Sequence, residues 1–495
     1  MFLPWLIIIP IIGGFLCFPL ARSGTEGPRW ISLIVCVLIL ILSFEILWKN
    51  DYALMQYGKE LSFWQHYSIS WISRFGIQVH LSIDGLSLLM VLLTGLLGLM
   101  AVLCSWRELD STGWFHFNMM LILCGVIGVF LSQDLFLFFC FWEIMIIPMY
   151  FLISLWGHKE LSETSRITAG LKFFIYTQSS GLLLLIAIIT LSLVHYSATG
   201  LWTFSYLQLL HHPQMSYTVE YILMLCFFIA FAVKLPLVPL HGAVIDAHSF
   251  APTTGAIDLI GLLIKTGGYG LLRFSFLLFP RASINFAPTA MMLGIISIFY
   301  GSWMAFNQND IKRMVAYTSL SHMGFLVIGI YTNNSLAYQG TVIQMISHSL
   351  SAAGLFIVCG LLYQRLHTRN MSQIEGLWHN INYLPALTIF FAVATMGLPG
   401  TGNFLGEFLI LFGSYRFFPT VTIIASFGII FATVYSLIMI QRTFFGSPNL
   451  SLRLKKISIR ELFILGLLMC VLLGLCFYPQ PVINISSWSY INIPY

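Results

Sequence analysis

Apolar stretches of about twenty residues follow one another along this 495-residue chain, the first from Phe2 to Leu20 and the last near Leu462 to Phe477. A helix needs about 20 apolar residues to cross the hydrocarbon core of a bilayer, and about fourteen such stretches can be counted. Hydrophobic residues make up 58% of the chain and charged ones only 8%, more apolar surface than a soluble core could hide. The expected fold is an all-α integral membrane protein with about 14 transmembrane helices. The first stretch has neither a basic leader nor a small-residue cleavage site and runs on into further spans, so it reads as a helix and not as a cleaved signal peptide.

With fourteen helices, alternate loops face opposite sides. One set of loops carries fourteen lysines and arginines, among them Arg22, Arg29, Arg107, Lys159, Lys312, Arg313, Arg365, Arg453 and Arg460; the other carries five, Lys49, Lys59, Arg74, Arg281 and Arg416. That asymmetry places the first set in the cytoplasm and both termini outside. Nine cysteines are scattered through apolar spans without a C-x-x-C pair, which points to packing and not to a disulfide framework, an iron–sulfur cluster or a zinc site. His241, Asp246 and His248 match no zinc spacing, so no metal is expected there. No P-loop is present. Gly400-Thr401-Gly402-Asn403-Phe404-Leu405-Gly406 misses the dinucleotide fingerprint, because Leu405 takes the third glycine position.

Two places interrupt otherwise continuous apolar runs: Lys234-Leu235-Pro236-Leu237-Val238-Pro239 and Gly397-Leu398-Pro399-Gly400-Thr401-Gly402. Proline and glycine there break a helix and free backbone carbonyls in mid-membrane. Pro236 and Pro399 lie 163 positions apart, and Lys234 and Glu407 lie 173 apart. Gln178 to Leu182 and Ser351 to Leu355 are also 173 apart, and Glu143 precedes His322 by 179. The chain therefore divides into N-terminal helices over 1–113, a first repeat over 114–280, a second over 281–440, and a loop with a last helix over 441–495. Five helices per repeat is an odd number, so the second copy is inverted, and paired broken helices in inverted repeats point to a transport site.

Ionisable residues inside the apolar runs are the candidates for chemistry. An ionised side chain at bilayer depth costs from about 2.5 to more than 10 kcal/mol, so Glu143, Lys234, Lys265 and Glu407 need a function. Glu143 sits among phenylalanines and calls for a cation; Lys234 is the natural partner. One such pair could serve helix packing alone, whereas a series points to an ion pathway. Lys265 follows one helix later beside Gly267 and Gly268. His322 and His348, flanked by serines, offer stepping groups that titrate near neutrality. Asp258, two α-helical turns before Lys265, is placed to share its face.

Several segments together resemble a known family: Met1 to Leu6, Arg74 to Ile77 continuing to Ile83-Asp84-Gly85-Leu86-Ser87, Phe141-Trp142-Glu143, Phe173 to Gln178, Ala316 to Ser319, Ser321-His322-Met323-Gly324-Phe325 and Leu398 to Phe404. From end to end the chain resembles the antiporter-like, subunit 4-type membrane chains of bacterial proton-pumping NADH:quinone oxidoreductase, respiratory complex I. The resemblance implies two inverted five-helix repeats with a half-channel in each. It implies Glu143 and Lys234 as a coupled pair, Lys265 as central relay and Glu407 as exit carboxylate, with His322 and His348 between. It also implies a place in the bacterial inner membrane among other membrane-arm subunits, including neighbouring antiporter-like ones, with phospholipids around it and no nucleic acid partner. FMN, iron–sulfur clusters and quinone would belong to partner subunits, leaving no cofactor in this chain. One departure stands out. Where the family reads His-Gly-Trp-Leu-Pro-Asp-Ala-His, this chain has His241-Gly242-Ala243-Val244-Ile245-Asp246-Ala247-His248, so the loop after the first break is expected to differ in shape.

The function expected is redox-driven proton translocation. Two alternatives stand beside it: a subunit of a sodium-extruding cation/proton antiporter, which would share the repeat and the buried lysines, and a structural subunit of the membrane arm that does not pump.

Overall fold

The computed structural model describes residues 2–54, 64–107, 110–158, 163–210, 215–374, 376–379, 381–446, 455–487 and 489. Lys59, Lys159 and Arg453, used above to sort the loops, lie outside the described residues, and so does the side chain of Asp258.

Nearly all of the described chain is helical. Twelve helices among the described residues are long and apolar enough to cross a membrane, fewer than the fourteen expected. The shortfall has a local cause. The run 253–278 is cut by π turns at Leu259–Leu263 and Leu271–Ser275, and Leu384–Thr395 is parted from Gly402–Tyr415 by a glycine-rich break. Neither forms one regular helix of full length.

Helix starts follow from side chains in the sequence. Asp84, Asp134, Asp310 and Asn334 each accept a hydrogen bond from a backbone N–H of the first turn that follows. Ser458 and Glu461 form a reciprocal capping box at the start of Ile459–Phe477. Proline opens Pro280–Phe306 and Pro419–Phe444, where its missing N–H costs nothing. Outside the helices, Gln65–Ile72 and Ile77–Ile83 pair as an antiparallel hairpin, β1 and β2, in the polar stretch 48–82.

Polarity sorts the helices into layers. In the most apolar 18 residues of Glu26–Lys49 only 33% of positions are buried in protein, whereas the corresponding stretches of Ile311–Tyr331 and Ser335–Leu366 are 100% buried. A lipid-facing helix must be apolar all round, while a helix enclosed by other helices can carry serine, glutamine and histidine that bond across to its neighbours. His322, Gln344 and His348 sit on these two central helices.

The two breaks fall where the prolines and glycines lie. The helix Tyr217–Lys234 ends at Lys234, Leu235 leaves helical geometry (φ −83, ψ 81), and a new helix starts at Gly242. The second break passes through Gly397 (φ +75) and Gly400 (φ +104), a left-handed backbone that favours glycine. The segment expected as an altered loop is different from that expectation: Gly242–Phe250 is helical, and its Ala243, Val244 and Ile245 are buried.

A buried ion pair ties several elements together. Arg273 Nη1 lies 2.7 Å from Asp84 Oδ2, with the two residues 3% and 6% exposed. Burial opposes the charge on Asp84, but the Arg273 guanidinium and the Ser87 backbone N–H outweigh it and hold the carboxyl below its ordinary value. Ser489 joins the same cluster, its hydroxyl accepting from Leu86 N at 2.9 Å.

Candidate functional site

Lys234 is the last residue of its helix and 3% exposed. Its Nζ donates to the backbone carbonyl of Trp142 at 3.3 Å and lies 3.6 Å from the centroid of the Trp142 ring. Glu143 is the next residue, one position before its helix ends at Ile144. The carboxylate and the ammonium are within coulombic reach, but the direct contacts of Lys234 are to Trp142. A carbonyl and an aromatic face thus hold the ammonium directly, with the Glu143 carboxylate nearby. Glu143 Oε1 is buried without a hydrogen-bond partner among the described residues and faces Gly181, where an added Cβ would fall 1.9 Å away.

Lys265 is wholly buried, in the short helix Ile264–Gly270 between the two π turns. Gly267 brings this helix against the end of the preceding broken one: a Cβ there would lie 2.8 Å from both Phe231 O and Leu235 N. Lys265 Nζ reaches His348 Nδ1 at 3.0 Å and Met323 Sδ at 3.8 Å. The His348 and His322 rings are 5.3 Å apart between centroids. His322 Nδ1 lies 2.7 Å from Glu407 Oε1, and His322 Nε2 lies 3.1 Å from the Tyr435 hydroxyl. Gln344 Nε2 donates to the same Glu407 oxygen at 2.9 Å. Glycine again sets the geometry. Gly340 and Gly406 let the Glu407 helix lie directly on Ser335–Leu366, since a Cβ at Gly340 would meet Ile410 N at 2.7 Å.

Lys265, His348, His322 and Glu407 therefore come together as one buried file. Glu143 and Lys234 form a separate cluster that shares no direct partner with it among the described residues. Asp258, expected on the face of Lys265, has its side chain outside the described residues, and the turn between them, Leu259–Leu263, is π.

Two polar members were not legible in the sequence. Gln344 stands one helical turn before His348, a spacing that could have singled it out. Tyr435 had no such signal; it is brought in from Pro419–Phe444, 113 positions from His322. Near the break, His248 is fully buried with neither ring nitrogen hydrogen-bonded among the described residues. Asp246 is held by Lys172 at 2.5 Å and Arg313 at 3.3 Å. No group of three or more His, Cys, Asp or Glu able to hold a metal occurs among the described residues.

Chemically the file can pass protons. A histidine that donates from Nδ1 to a carboxylate and accepts at Nε2 from a phenol can lose a proton on one side and regain it on the other. The fold and this file together define a multi-pass helical membrane protein with paired broken helices and a buried line of titratable side chains.

The family described as NADH:quinone oxidoreductase/Mrp antiporter, TM, matches residues 132–433. NADH-quinone oxidoreductase subunit M of Escherichia coli (strain K12) is 60% identical over 497 residues, covering 100% of this chain and 97% of that protein. The protein of the same name from Pseudomonas aeruginosa is 56% identical over 494 residues, covering 99% and 96%. A chain of the respiratory complex I from Thermus thermophilus with bound NADH superimposes with a TM-score of 0.84 at 25% identity, covering 98% of this chain and 99% of its own. A chain of the Mrp complex from Dietzia sp. shares the fold, with a TM-score of 0.81 at 21% identity, over 100% of this chain and 52% of its own. The chain belongs to the NADH:quinone oxidoreductase/Mrp antiporter family of transmembrane proteins.

Proposed function

We propose that this chain is a membrane-arm subunit of a bacterial NADH:quinone oxidoreductase and translocates protons, driven by NADH oxidation and quinone reduction in partner subunits. The observation that carries this reading is the buried file Lys265, His348, His322 and Glu407, with its contacts of 3.0 and 2.7 Å at either end. Glu143 sets the charge at Lys234, Lys265 relays, and Glu407 discharges the proton. The file runs between a first repeat over 114–280 and an inverted second over 281–440, flanked by helices over 1–113 and a terminal part over 441–495.

Moving one charge against the membrane potential takes about 2.3 kcal/mol per 100 mV, and this chain carries nothing to supply it. FMN, iron–sulfur clusters and quinone belong to partner chains, as do the neighbouring antiporter-like subunits. The chain sits in the inner membrane with its more basic loops in the cytoplasm and both termini in the periplasm.

The test is NADH-driven proton uptake into vesicles holding the assembled complex, with and without a sodium gradient. Glu143→Ala and Lys234→Ala are expected to lower uptake while sodium leaves it unchanged. Normal pumping in either variant rejects the assignment, and sodium-dependent pumping selects the cation/proton antiporter. A smaller change probes the same site. Gly181→Ala places a methyl 1.9 Å from Glu143 Oε1, so the carboxylate must move by about 1 Å or more, which is expected to slow pumping by up to a hundredfold while the complex still assembles.

A further inference from the structure

We propose that Trp142 is a positioning residue for Lys234: its indole face and its backbone carbonyl form a seat that holds the charged ammonium while it is not paired with Glu143. This rests on the pumping reading above and adds a residue to it. Lys234 Nζ stands 3.6 Å from the centroid of the Trp142 ring and 3.3 Å from Trp142 O, so one residue supplies both contacts. An aromatic face attracts a cation through its quadrupole, most strongly where water is excluded. That condition is met, because Trp142 is wholly buried and Lys234 is 3% exposed.

The ring is fixed by its neighbours. Phe138 and Phe231, both wholly buried, lie 5.6 and 5.4 Å from it between centroids, and Phe231 stands three residues before Lys234 on the same helix. A side chain already locked by packing binds without further ordering cost. The indole N–H has no hydrogen-bond partner among the described residues, so the face of the ring, and not its polar edge, meets the lysine. The chemistry also selects for charge. A ring quadrupole attracts an ammonium and gives a neutral amine no such attraction, so the seat holds Lys234 while it is protonated and releases it once the proton has left towards Lys265. Trp142 and Glu143 are consecutive on Leu135–Ile144 and point about 100° apart. The flexible four-carbon stem of a lysine can swing between them without movement of the backbone. Without the seat the ammonium would stay with Glu143, and the exchange on which pumping depends would slow.

The experiment uses the assembled complex in vesicles, with Trp142 replaced through nonsense suppression by tryptophans carrying increasing numbers of ring fluorines. Fluorine draws charge from the ring face and changes its size little. NADH-driven proton uptake per assembled complex is expected to fall with each added fluorine, by roughly thirtyfold from tryptophan to the fully fluorinated ring, the factor that matches a desolvated cation–π contact. Trp142→Phe, which keeps a weaker face, should pump less than the wild type and more than Trp142→Leu. A ring that served packing alone would be indifferent to the fluorines. Equal uptake across the fluorinated series, or a loss that does not follow the number of fluorines, overturns the proposal. Lys234→Ala in the same vesicles separates the two claims. Normal uptake in that variant rejects the pumping reading and the seat with it, whereas low uptake there beside a flat fluorine series rejects the seat alone.

Discussion

Lys265→Ala is expected to stop proton transfer along the file and slow the step this chain performs by about a hundredfold or more, the range in which general acid–base groups contribute. Lys265 is wholly buried, and its ammonium reaches His348 Nδ1 at 3.0 Å. Alanine removes the group that holds the proton between the first break and His348. The check is NADH-driven acidification of vesicles together with the rate of NADH oxidation by the same membranes. Oxidation of NADH by the peripheral part should continue, because no redox chemistry is assigned to this chain. Glu407→Gln tests the other end. The amide keeps the volume and still accepts from Gln344 Nε2, but it holds no exchangeable charge beside His322. Pumping should fall as it does for Lys265→Ala, and a rate equal to that of the wild type in both variants would remove the file from the mechanism.

Asp84→Asn is expected to cost about 3–5 kcal/mol of stability, because it leaves Arg273 buried without its anion. The pair is 2.7 Å apart and joins the start of Gly85–Cys104 to the end of the π-interrupted run and to Ser489. Thermal unfolding of the complex in detergent measures the loss. The pH dependence has a definite sign. Asp84 is held below the ordinary carboxylate value of about 4, so its contribution is fully present above that pH and is lost as pH falls through the lowered folded value. The wild type should therefore lose stability in acid over that window, and Asp84→Asn should show less of that loss. Equal acid sensitivity would mean that Asp84 is not the group responsible.

The family resemblance and the physical reading agree in what they found and in what they missed. Lys234, Lys265 and Glu407 stood out as charges in apolar runs, a signal that needs no coordinates. His322 and His348 were ambiguous alone, since a histidine in a helix is often a packing residue. Their proximity is a tertiary fact: both are buried, with the two rings 5.3 Å apart. Tyr435 carries no charge and nothing in composition or spacing marks it, whereas Gln344 is marked only by its place one helical turn before His348. The Glu143–Lys234 pairing was readable as a neighbourhood, but the ammonium's contact with the Trp142 carbonyl and ring was not. Such a contact depends on the angle at which two helices meet, and a one-dimensional pattern does not encode that angle.

The sequence by itself determined the membrane class, the positions of both helix breaks and the identity of the buried charges. Each is a local property: apolar length against bilayer thickness, the missing amide of proline, and the cost of a charge in hydrocarbon. Only the tertiary structure decided which of those charges share one buried file. That outcome rests on close backbone contact at Gly267, Gly340 and Gly406, on the contact of the His322 and His348 rings, and on Tyr435 arriving from Pro419–Phe444. Contacts between residues 63 to 113 positions apart follow from how helices pack, and the packing is fixed by the whole bundle at once.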